Sequence, residues 1–174
     1  AFLPAFLIVA IALTIQFVRY RALNPDPEQE VVDTTTPTIP IPIFPEDPIL
    51  GDKKAVETLV IFADFACEAC KAEAELLFPL LKQNPKKFKI IWKGLSVTRI
   101  PFPSEDAQRY GHCANRQGKF IEFAQKAFAV QTNLSPGTLE EISATIGLNS
   151  QKLTACLTDP GTAAALENTE AVAK

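Results

Sequence analysis

The sequence predicts an α/β fold preceded by one transmembrane helix and a proline-rich linker. Three observations indicate this fold class. The first 18 residues contain no charged side chain, the next stretch is rich in proline, and from about Ile49 an apolar run, a helical pattern and a second apolar run follow one another. We therefore expect an anchor over residues 1–21, a linker over residues 22–48 and a folded domain over residues 49–174.

Residues 1–21 are expected to form a transmembrane anchor. As a helix, Ala1 to Val18 would extend roughly 27 Å at about 1.5 Å per residue, slightly less than a hydrocarbon core of about 30 Å. A secretory signal peptide is the competing interpretation. The apolar stretch is long for one, lacks a convincing small-x-small cleavage site and is followed by Arg19, Tyr20 and Arg21. These three side chains are expected at the depth of the lipid headgroups.

Two signals give opposite orientations for this anchor. Arg19 and Arg21 follow it, and the positive-inside rule alone places that side in the cytoplasm. The chain also contains four cysteines, enough for two disulfides, which persist in oxidising compartments and seldom in the cytosol. Because methionine is absent even at position 1, we expect part of the gene product to be missing and give the cysteines more weight. The domain is therefore expected on the extracytoplasmic side.

Residues 22–48 are expected to form an extended linker. The stretch from Asn24 to Pro48 contains seven of the fourteen prolines, a composition that favours polyproline II and cannot build a core. A ligand for a proline-recognition domain is the alternative. A tether between anchor and domain is the commoner role for such a segment.

The folded domain is predicted to begin with a strand, a helix and a second strand. Thr58 to Ala63 is a continuous apolar run suited to a buried parallel strand. Cys70 to Gln83 has the apolar spacing of a helix, and Phe88 to Leu95 indicates another strand. This order predicts a right-handed parallel crossover.

The remainder of the chain is predicted to be helical. Ser104 is a plausible N-cap, and Thr138 with Glu141 has the spacing of a capping box. Asn149 is predicted to cap a short helix, and Asp159 before a proline is predicted to open the last one. An apolar stripe over residues 120–128 indicates a further helix packed on the core.

The charge of the chain argues against nucleic acid as a partner. The net charge is -3 and the pI is about 5.3. An acidic chain offers no basic field for a phosphate backbone. The lysines around Lys86 to Lys89 are interpreted as a solvated turn.

Cys67 and Cys70 form a Cys-x-x-Cys pair at the predicted junction of strand and helix. The first sulfur is expected at the helix N-terminus, where unpaired amides and the helix dipole favour the thiolate. Cys67 is therefore the predicted nucleophile, and Cys70, one turn further on, is predicted to resolve a mixed disulfide. The carboxylate of Glu68 opposes this slightly, so we expect a milder oxidant than a pair that encloses a histidine.

Two other uses of the pair fit the sequence less well. A haem attachment site requires histidine directly after the second cysteine, where the chain has Lys71. A zinc or copper site would use Cys67, Cys70, His112 and Cys113. A closed zinc site usually draws on two close-spaced pairs, and adjacent His112 and Cys113 have the wrong local reach for chelation. We therefore expect neither a metal nor another cofactor.

Cys113 and Cys156 each lie on the apolar side of a predicted helix. Both are compatible with inert buried thiols. A disulfide between them is the alternative, and closing the loop of forty-odd residues would stabilise the fold by about 4 kcal/mol in the loop-entropy model. Four cysteines permit three pairings, so the residues alone leave the connectivity open.

Several short motifs together resemble the DsbA-like thiol-disulfide oxidoreductases. Their residues are Ile49–Asp52 before a strand, Asp64–Cys70 with the cysteine pair, Pro101–Pro103 before a helix, Cys113–Phe120 with its QGKF sequence, Ile146–Asn149 and Cys156–Leu157. The similarity covers roughly Ile49 to Lys174. Each motif is weak alone, and the combination is specific.

This resemblance implies a thioredoxin-like fold with a helical insertion at about 104–158. It implies that Cys67 and Cys70 are the redox pair and that Cys113 and Cys156 form a second, structural disulfide. The implied activity is oxidation or isomerisation of disulfides in exported proteins by a membrane-anchored, extracytoplasmic enzyme. Thiols of exported proteins are then the expected substrates, the bilayer contacts the anchor, and a membrane protein is expected to recycle the pair.

The chain departs from this family at its C-terminal end. Family members continue into a cis-proline loop that faces the active-site sulfurs, a strand hairpin and a final helix, which are missing from this sequence. Pro101 and Pro103 cannot replace that proline because both precede the helical insertion, and Pro136 and Pro160 lie at predicted helix starts. We expect the sequence to be a portion of a longer protein. A partner that completes the sheet is the alternative.

A second function is compatible with the same sequence. The same fold is compatible with a non-catalytic accessory subunit of a membrane protein complex, in which the cysteines are incidental or structural. The two functions differ in what they require of Cys67, because only the enzyme needs its sulfur to be reachable from solvent.

Overall fold

The computed structural model describes residues 13–20 and 40–173. The chain divides into two units, residues 1–40 and 41–174. In the first unit residues 13–20 are helical. Within the described residues no helix combines the length and the apolar character needed to span a bilayer. The rest of the expected anchor and residues 22–39 of the expected linker lie outside the described residues.

The second unit contains a three-stranded sheet, with β1 (Ile49–Leu50), β2 (Glu57–Ala63) and β3 (Phe88–Gly94) in the order β1-β3-β2. Strand β3 pairs antiparallel with β1 and parallel with β2. Its position between two strands explains its apolar sequence, since Ile90, Ile91 and Trp92 are all buried. The two predicted strands are confirmed to within one residue at each end. A strand of two residues such as β1 is too short to leave a periodic pattern.

Six helices complete the described part of this unit. They are α1 (Glu68–Gln83), α2 (Ser104–Asn115), α3 (Phe120–Ala129), α4 (Pro136–Thr145), α5 (Ser150–Leu157) and α6 (Pro160–Val172). Helix α1 connects the parallel strands β2 and β3 and buries Ala74, Phe78 and Leu81. The other five helices follow the sheet in sequence, which confirms the predicted succession of a strand-helix-strand unit and a helical region.

Two of the predicted helix starts are confirmed in detail. The side chain of Asn149 accepts a hydrogen bond from the backbone of Lys152 at 2.9 Å and caps α5. The side chain of Asp159 accepts one from Gly161 at 2.9 Å and caps α6, with Pro160 at the first helical position. Both satisfy amide groups that have no partner inside the helix.

Two other predicted caps are wrong. Helix α4 is capped by Ser135, whose side chain accepts from the backbone of Thr138, because Pro136 is already shaped for the first helical position. The capping box predicted at Thr138 is therefore inside the helix. Helix α2 begins at Ser104 after Pro103 and has no side-chain cap. The hydroxyl of Ser104 is used instead by the buried carboxylate of Asp64.

The core is built around stacked aromatic rings. The rings of Phe65 and Trp92 are stacked with centroids 5.5 Å apart, and Phe65 meets Phe123 edge-on at 5.4 Å. Phe120 and Phe128 lie against the same two rings. Three of these residues belong to α3, so the predicted apolar stripe of that helix is confirmed as core. This cluster packs the helical region against the sheet.

A buried ion pair holds the segment before β1 against β3. The Lys93 side chain is fully buried, and its ammonium donates to Asp47 and lies 4.2 Å from the centroid of the Phe44 ring. The Asp47 carboxylate also accepts from the backbone of Phe44 at 2.7 Å. The carbonyl of Pro48 accepts from the backbone of Trp92 at 3.0 Å. Residues 44–48, at the end of the expected linker, therefore belong structurally to the sheet.

The ion pair predicts that removing one charge destabilises the fold more than removing both charges. Asp47→Asn is expected to lower the free energy of unfolding by about 3–5 kcal/mol, because it leaves the Lys93 ammonium buried without a counter-charge. The double variant Asp47→Asn/Lys93→Met removes both charges and is expected to recover most of that loss. Urea unfolding of both variants and the wild type measures this coupling. A double variant that is no more stable than Asp47→Asn would contradict the interpretation.

Candidate active site

The site lies where β2 ends and α1 begins. Cys67 is the N-cap of α1, in extended backbone conformation, and its sulfur accepts a hydrogen bond from the backbone of Cys70 at 3.3 Å. A turn leads into this position, closed by the backbone of Cys67 donating to the carbonyl of Asp64 at 3.1 Å. The helix therefore directs one of its unpaired amide groups at the first sulfur.

The two cysteines are unbonded and half-buried, but their environments differ. Burial raises the pKa of the Cys70 thiol to about 11, and its hydrogen bond with the Cys67 side chain adds to this rise. A backbone hydrogen bond with Asp64 acts in the opposite direction. Cys70 is consequently protonated at neutral pH. The Cys67 sulfur is the one that receives a backbone N–H.

A single buried carboxylate holds the turn before Cys67. Asp64 is 2% exposed, and one of its oxygens accepts from the backbone of Ala66 at 2.8 Å. The other oxygen accepts from the backbones of Val97 at 3.0 Å and Thr98 at 2.8 Å, and from the hydroxyl of Ser104 at 2.8 Å. The carboxylate thus joins the active-site turn to the loop after β3 and to the start of α2.

Sequence reasoning did not identify this role of Asp64. Its partners lie 33, 34 and 40 residues away along the chain, so no local pattern marks them. The position of Asp64 did indicate that it needs hydrogen-bond partners. It lies between an apolar strand and Phe65, and a carboxylate buried there is costly unless other groups donate to it.

Helix α2 packs against the turn that carries Cys67. The side-chain amide of Gln108 donates to the carbonyls of Ala63 at 3.1 Å and Leu95 at 2.9 Å. Ala63 is the last residue of β2, and Leu95 directly follows β3. Gly111 of the same helix faces Phe65, and a Cβ atom at that glycine would lie 2.9 Å from the Phe65 ring. The absence of a side chain therefore permits α2 to approach the active-site turn closely.

The remaining predicted site residues lie elsewhere. A disulfide joins Cys113 of α2 to Cys156 of α5, and both residues are buried. Cys113 is thus bonded away from Cys67 and Cys70. His112 is also buried, and burial together with Arg116 lowers its pKa. In residues 13–20 and 40–173, no group of three or more His, Cys, Asp or Glu side chains is arranged to hold a metal ion.

The fold and the site define a class of protein. A parallel β-α-β unit with a Cys-x-x-Cys pair at the N-terminus of its helix, followed by a helical region, is the architecture of a thioredoxin-like domain. Residues 44–174 match a family model described as Thioredoxin. The chain belongs to the thioredoxin family.

Solved structures with this fold include a thiol-disulfide exchange protein. A thioredoxin-like oxidoreductase from Silicibacter pomeroyi aligns with a TM-score of 0.65 and 22% identity over 75% of this chain and 73% of that chain. The thiol-disulfide exchange protein alpha-DsbA2 from Wolbachia pipientis aligns at 0.63 and 18%, over 72% and 68%. The catalytic domain of Proteus mirabilis ScsC aligns at 0.62 and 23%, over 74% and 69%. These similarities establish a thioredoxin-like fold with DsbA-like and ScsC-like structural neighbours.

Curated relatives are much longer proteins. The Na(+)/H(+) antiporter NhaA 1 of Mycobacterium sp. (strain KMS) is 27% identical over 129 residues, which cover 70% of this chain and 21% of the antiporter. The antiporter NhaA 3 of Salinispora tropica is 27% identical over 120 residues, covering 68% of this chain and 18% of the antiporter. The chain spans about a fifth of the length of these relatives.

The Asp64 contacts predict a specific loss of stability. Asp64→Asn leaves one acceptor oxygen where the carboxylate offered two, so at least one buried donor loses its partner, at a cost of about 1–3 kcal/mol. Ser104→Ala is the matched control, because it removes one donor and leaves the carboxylate with its three backbone partners, at a cost of about 1 kcal/mol. Urea unfolding of the reduced protein measures both. An Asp64→Asn variant as stable as the wild type would refute the role of this carboxylate.

The environment of Cys70 predicts how its alkylation depends on pH. Since the thiolate is the reactive form, the rate at Cys70 is expected to rise about tenfold per pH unit through pH 9 and 10, levelling off near its pKa of about 11. Initial rates of iodoacetamide labelling of the reduced protein, with the label located by mass spectrometry, measure this. A labelling rate that levels off near pH 8.5, the ordinary pKa of a cysteine, would contradict this prediction.

Proposed function

We propose that the protein is a thiol-disulfide oxidoreductase that exchanges disulfides with exported proteins through Cys67 and Cys70. One observation carries this proposal: the half-buried Cys67 sulfur caps α1 and accepts a backbone N–H, while its neighbour Cys70 stays protonated. This asymmetry assigns different roles to the two sulfurs, since the thiolate is the nucleophile in thiol-disulfide exchange.

The proposed exchange proceeds in two steps. A substrate thiolate attacks the Cys67 sulfur of the oxidised pair; a bond forms between substrate and Cys67, and the electron pair of the broken disulfide leaves on Cys70. Cys70 then takes up a proton, as its pKa of about 11 requires at neutral pH. A second substrate thiolate attacks the substrate sulfur of the mixed disulfide and releases Cys67 as a thiolate. The substrate loses two electrons and the pair gains them.

The proposed setting is the outer side of a membrane. In this proposal residues 1–21 anchor the chain, the part of the linker before Phe44 acts as tether, and the domain that begins with residues 44–48 packed on the sheet is catalytic. The uncharged stretch from Ala1 to Val18 and the prolines after it support this division. The structural similarity to the Wolbachia thiol-disulfide exchange protein and the Silicibacter oxidoreductase supports the activity. A membrane redox partner would then reoxidise the pair.

A second candidate is an accessory domain of a membrane transport protein. The relatives named as Na(+)/H(+) antiporters favour it, because a segment like this chain makes up about a fifth of their length. In that function the domain is a non-catalytic module, and its cysteines serve structure rather than exchange. The two candidates predict different consequences of removing the Cys67 sulfur.

The oxidoreductase proposal predicts that Cys67→Ser abolishes catalysis. Insulin reduction by the chain in the presence of dithiothreitol is expected to fall to the uncatalysed rate, because no other described free cysteine caps a helix. Cys70→Ser is the matched variant, and it is expected to accumulate a mixed disulfide with substrate at Cys67 that mass spectrometry detects, since the resolving sulfur is absent.

The same variants separate the two candidates. If the wild-type chain shows no activity above background, and Cys67→Ser still co-purifies with a membrane transport protein to the same extent as wild type, the accessory function is correct. Equal activity of Cys67→Ser and wild type would instead exclude Cys67 as the nucleophile.

A further inference from the structure

Helix α1 exposes an apolar stripe on the side turned away from the core. Its buried residues are Ala74, Phe78 and Leu81, which belong to the hydrophobic core. On the opposite side Leu76 is 64% exposed and Leu80 is 38% exposed. The exposed apolar residues of this side form a set that we call the outer stripe: Ala69, Ala72, Leu76, Pro79 and Leu80. A contiguous apolar patch in water marks an interaction surface.

The outer stripe has the spacing of a surface that packs against another helix. Intervals of three, four and three residues separate its members Ala69, Ala72, Leu76 and Pro79. This alternation keeps the side chains on one line along a helix, as in the seam of a coiled coil. Since these residues are exposed, the described part of the chain does not cover the seam. The partner that fits it is an α-helix with an apolar line of its own.

The charges along this helix indicate which partner fits. The residues before the centre of the outer stripe carry three exposed glutamates and one lysine, whereas the charged residues from Leu76 to Lys87 are three exposed lysines. They are Glu68, Lys71, Glu73 and Glu75 in the first group, and Lys82, Lys86 and Lys87 in the second. A second α1 running antiparallel sets the acidic half of each copy against the basic end of the other, and a parallel one sets like charges together. The surface is therefore complementary to itself.

We infer that two copies of the chain associate through antiparallel packing of their outer stripes. In the register that best pairs the charges, Leu76 of each copy packs against Pro79 of the other, and Glu75 lies beside Lys82 of the other. Two-fold symmetry makes each of these contacts twice. This association goes beyond the proposed function and does not depend on exchange at the cysteine pair.

The size of the surface sets the expected strength. Helix α1 has 16 residues, about 24 Å at about 1.5 Å per residue. Two helices of this length form a small interface, in the class below about 1,200 Å² that is typical of weak or transient contacts. The dimer is therefore expected to be reversible and to depend on protein concentration.

The test locks the inferred register with a disulfide. This register places Ala72 opposite Gln83 of the other copy. Ala72→Cys/Gln83→Cys is introduced into the 174-residue chain with both residues of the Cys-x-x-Cys pair replaced by serine, so that the Cys113–Cys156 disulfide is the other sulfur pair. Within one chain, positions 72 and 83 lie roughly 16 Å apart along the helix, too far for a disulfide. The initial rate of covalent dimer formation in mild detergent under air, read from non-reducing gels over a dilution series, is the measurement.

The two single-cysteine chains, Ala72→Cys and Gln83→Cys, are the matched controls. In the antiparallel register each of these positions lies about three helical turns from its own copy, at about 5.4 Å per turn. The double-cysteine chain is expected to form covalent dimer at least about tenfold faster than either single variant. A parallel pair would instead bring each position next to itself and cross-link both single variants.

Substitutions in the double-cysteine chain test the surface itself. Leu76→Glu is expected to lower the cross-linking rate about tenfold, because it places a charge in the centre of the apolar contact. Lys82→Glu is expected to lower it about threefold, and Glu75→Lys/Lys82→Glu is expected to restore it, because the swap returns opposite charges to both symmetric contacts. Val56→Glu is the control for an added charge elsewhere. Val56 is 87% exposed and precedes β2, so the rate is expected to stay unchanged.

Three results would overturn the inference. Single-cysteine chains that cross-link as fast as the double-cysteine chain would exclude the antiparallel register. An unchanged rate in Leu76→Glu would exclude the outer stripe as the contact, even where other segments hold two chains together. Absence of covalent dimer throughout the dilution series would exclude the association. None of these results bears on the exchange activity, because the cysteine pair is replaced in every chain compared.

Discussion

The arrangement at Cys67 depends on one buried carboxylate. Asp64 ends the apolar run of β2 and receives four hydrogen bonds, from Ala66 beside it and from Val97, Thr98 and Ser104 across the fold. Because a buried carboxylate without partners is costly, these four bonds stabilise the observed geometry of the turn. That geometry brings Cys67 to the N-cap of α1, where its sulfur meets the N–H of Cys70. The loop after β3 is fixed by the same carboxylate.

The hydrogen bonds of Asp64 and the aromatic core are joined at consecutive residues. Phe65 follows Asp64 directly, is fully buried and contacts Trp92 of β3 and three aromatic residues of α3. A shift of the turn that broke the carboxylate bonds would therefore also pull a ring out of the core. On the other side of β3, the pair of Lys93 and Asp47 binds the segment before β1 to the same strand. Strand β3 thus connects the turn before Cys67 to the segment that precedes β1.

Local patterns in the sequence were sufficient for most of the fold and for the position of the Cys-x-x-Cys pair at the start of a helix. The apolar runs of β2 and β3, the helix after Cys67 and the caps at Asn149 and Asp159 all depend on residues within a few positions of each other. What the sequence left open depends on long-range pairing. Lys93 and Asp47 are 46 residues apart. The residues around a lysine inside an apolar strand do not indicate which distant group pairs with it. Ser104 had the local features of a cap, but a distant carboxylate competes for its hydroxyl. Cys113 and Cys156, 43 residues apart, could not be paired by counting alone.

The unequal environments of the two sulfurs also bear on the strength of the proposed exchange. A strong dithiol oxidant is one whose reduced form is stabilised, mainly as a thiolate. Burial holds Cys70 as the thiol, with its pKa raised to about 11, so any such stabilisation has to come from Cys67. There the described contact is one backbone N–H at 3.3 Å. When a substrate attacks Cys67, moreover, the departing sulfur is Cys70, and a thiol of high pKa leaves slowly. Both effects favour a mild exchanger.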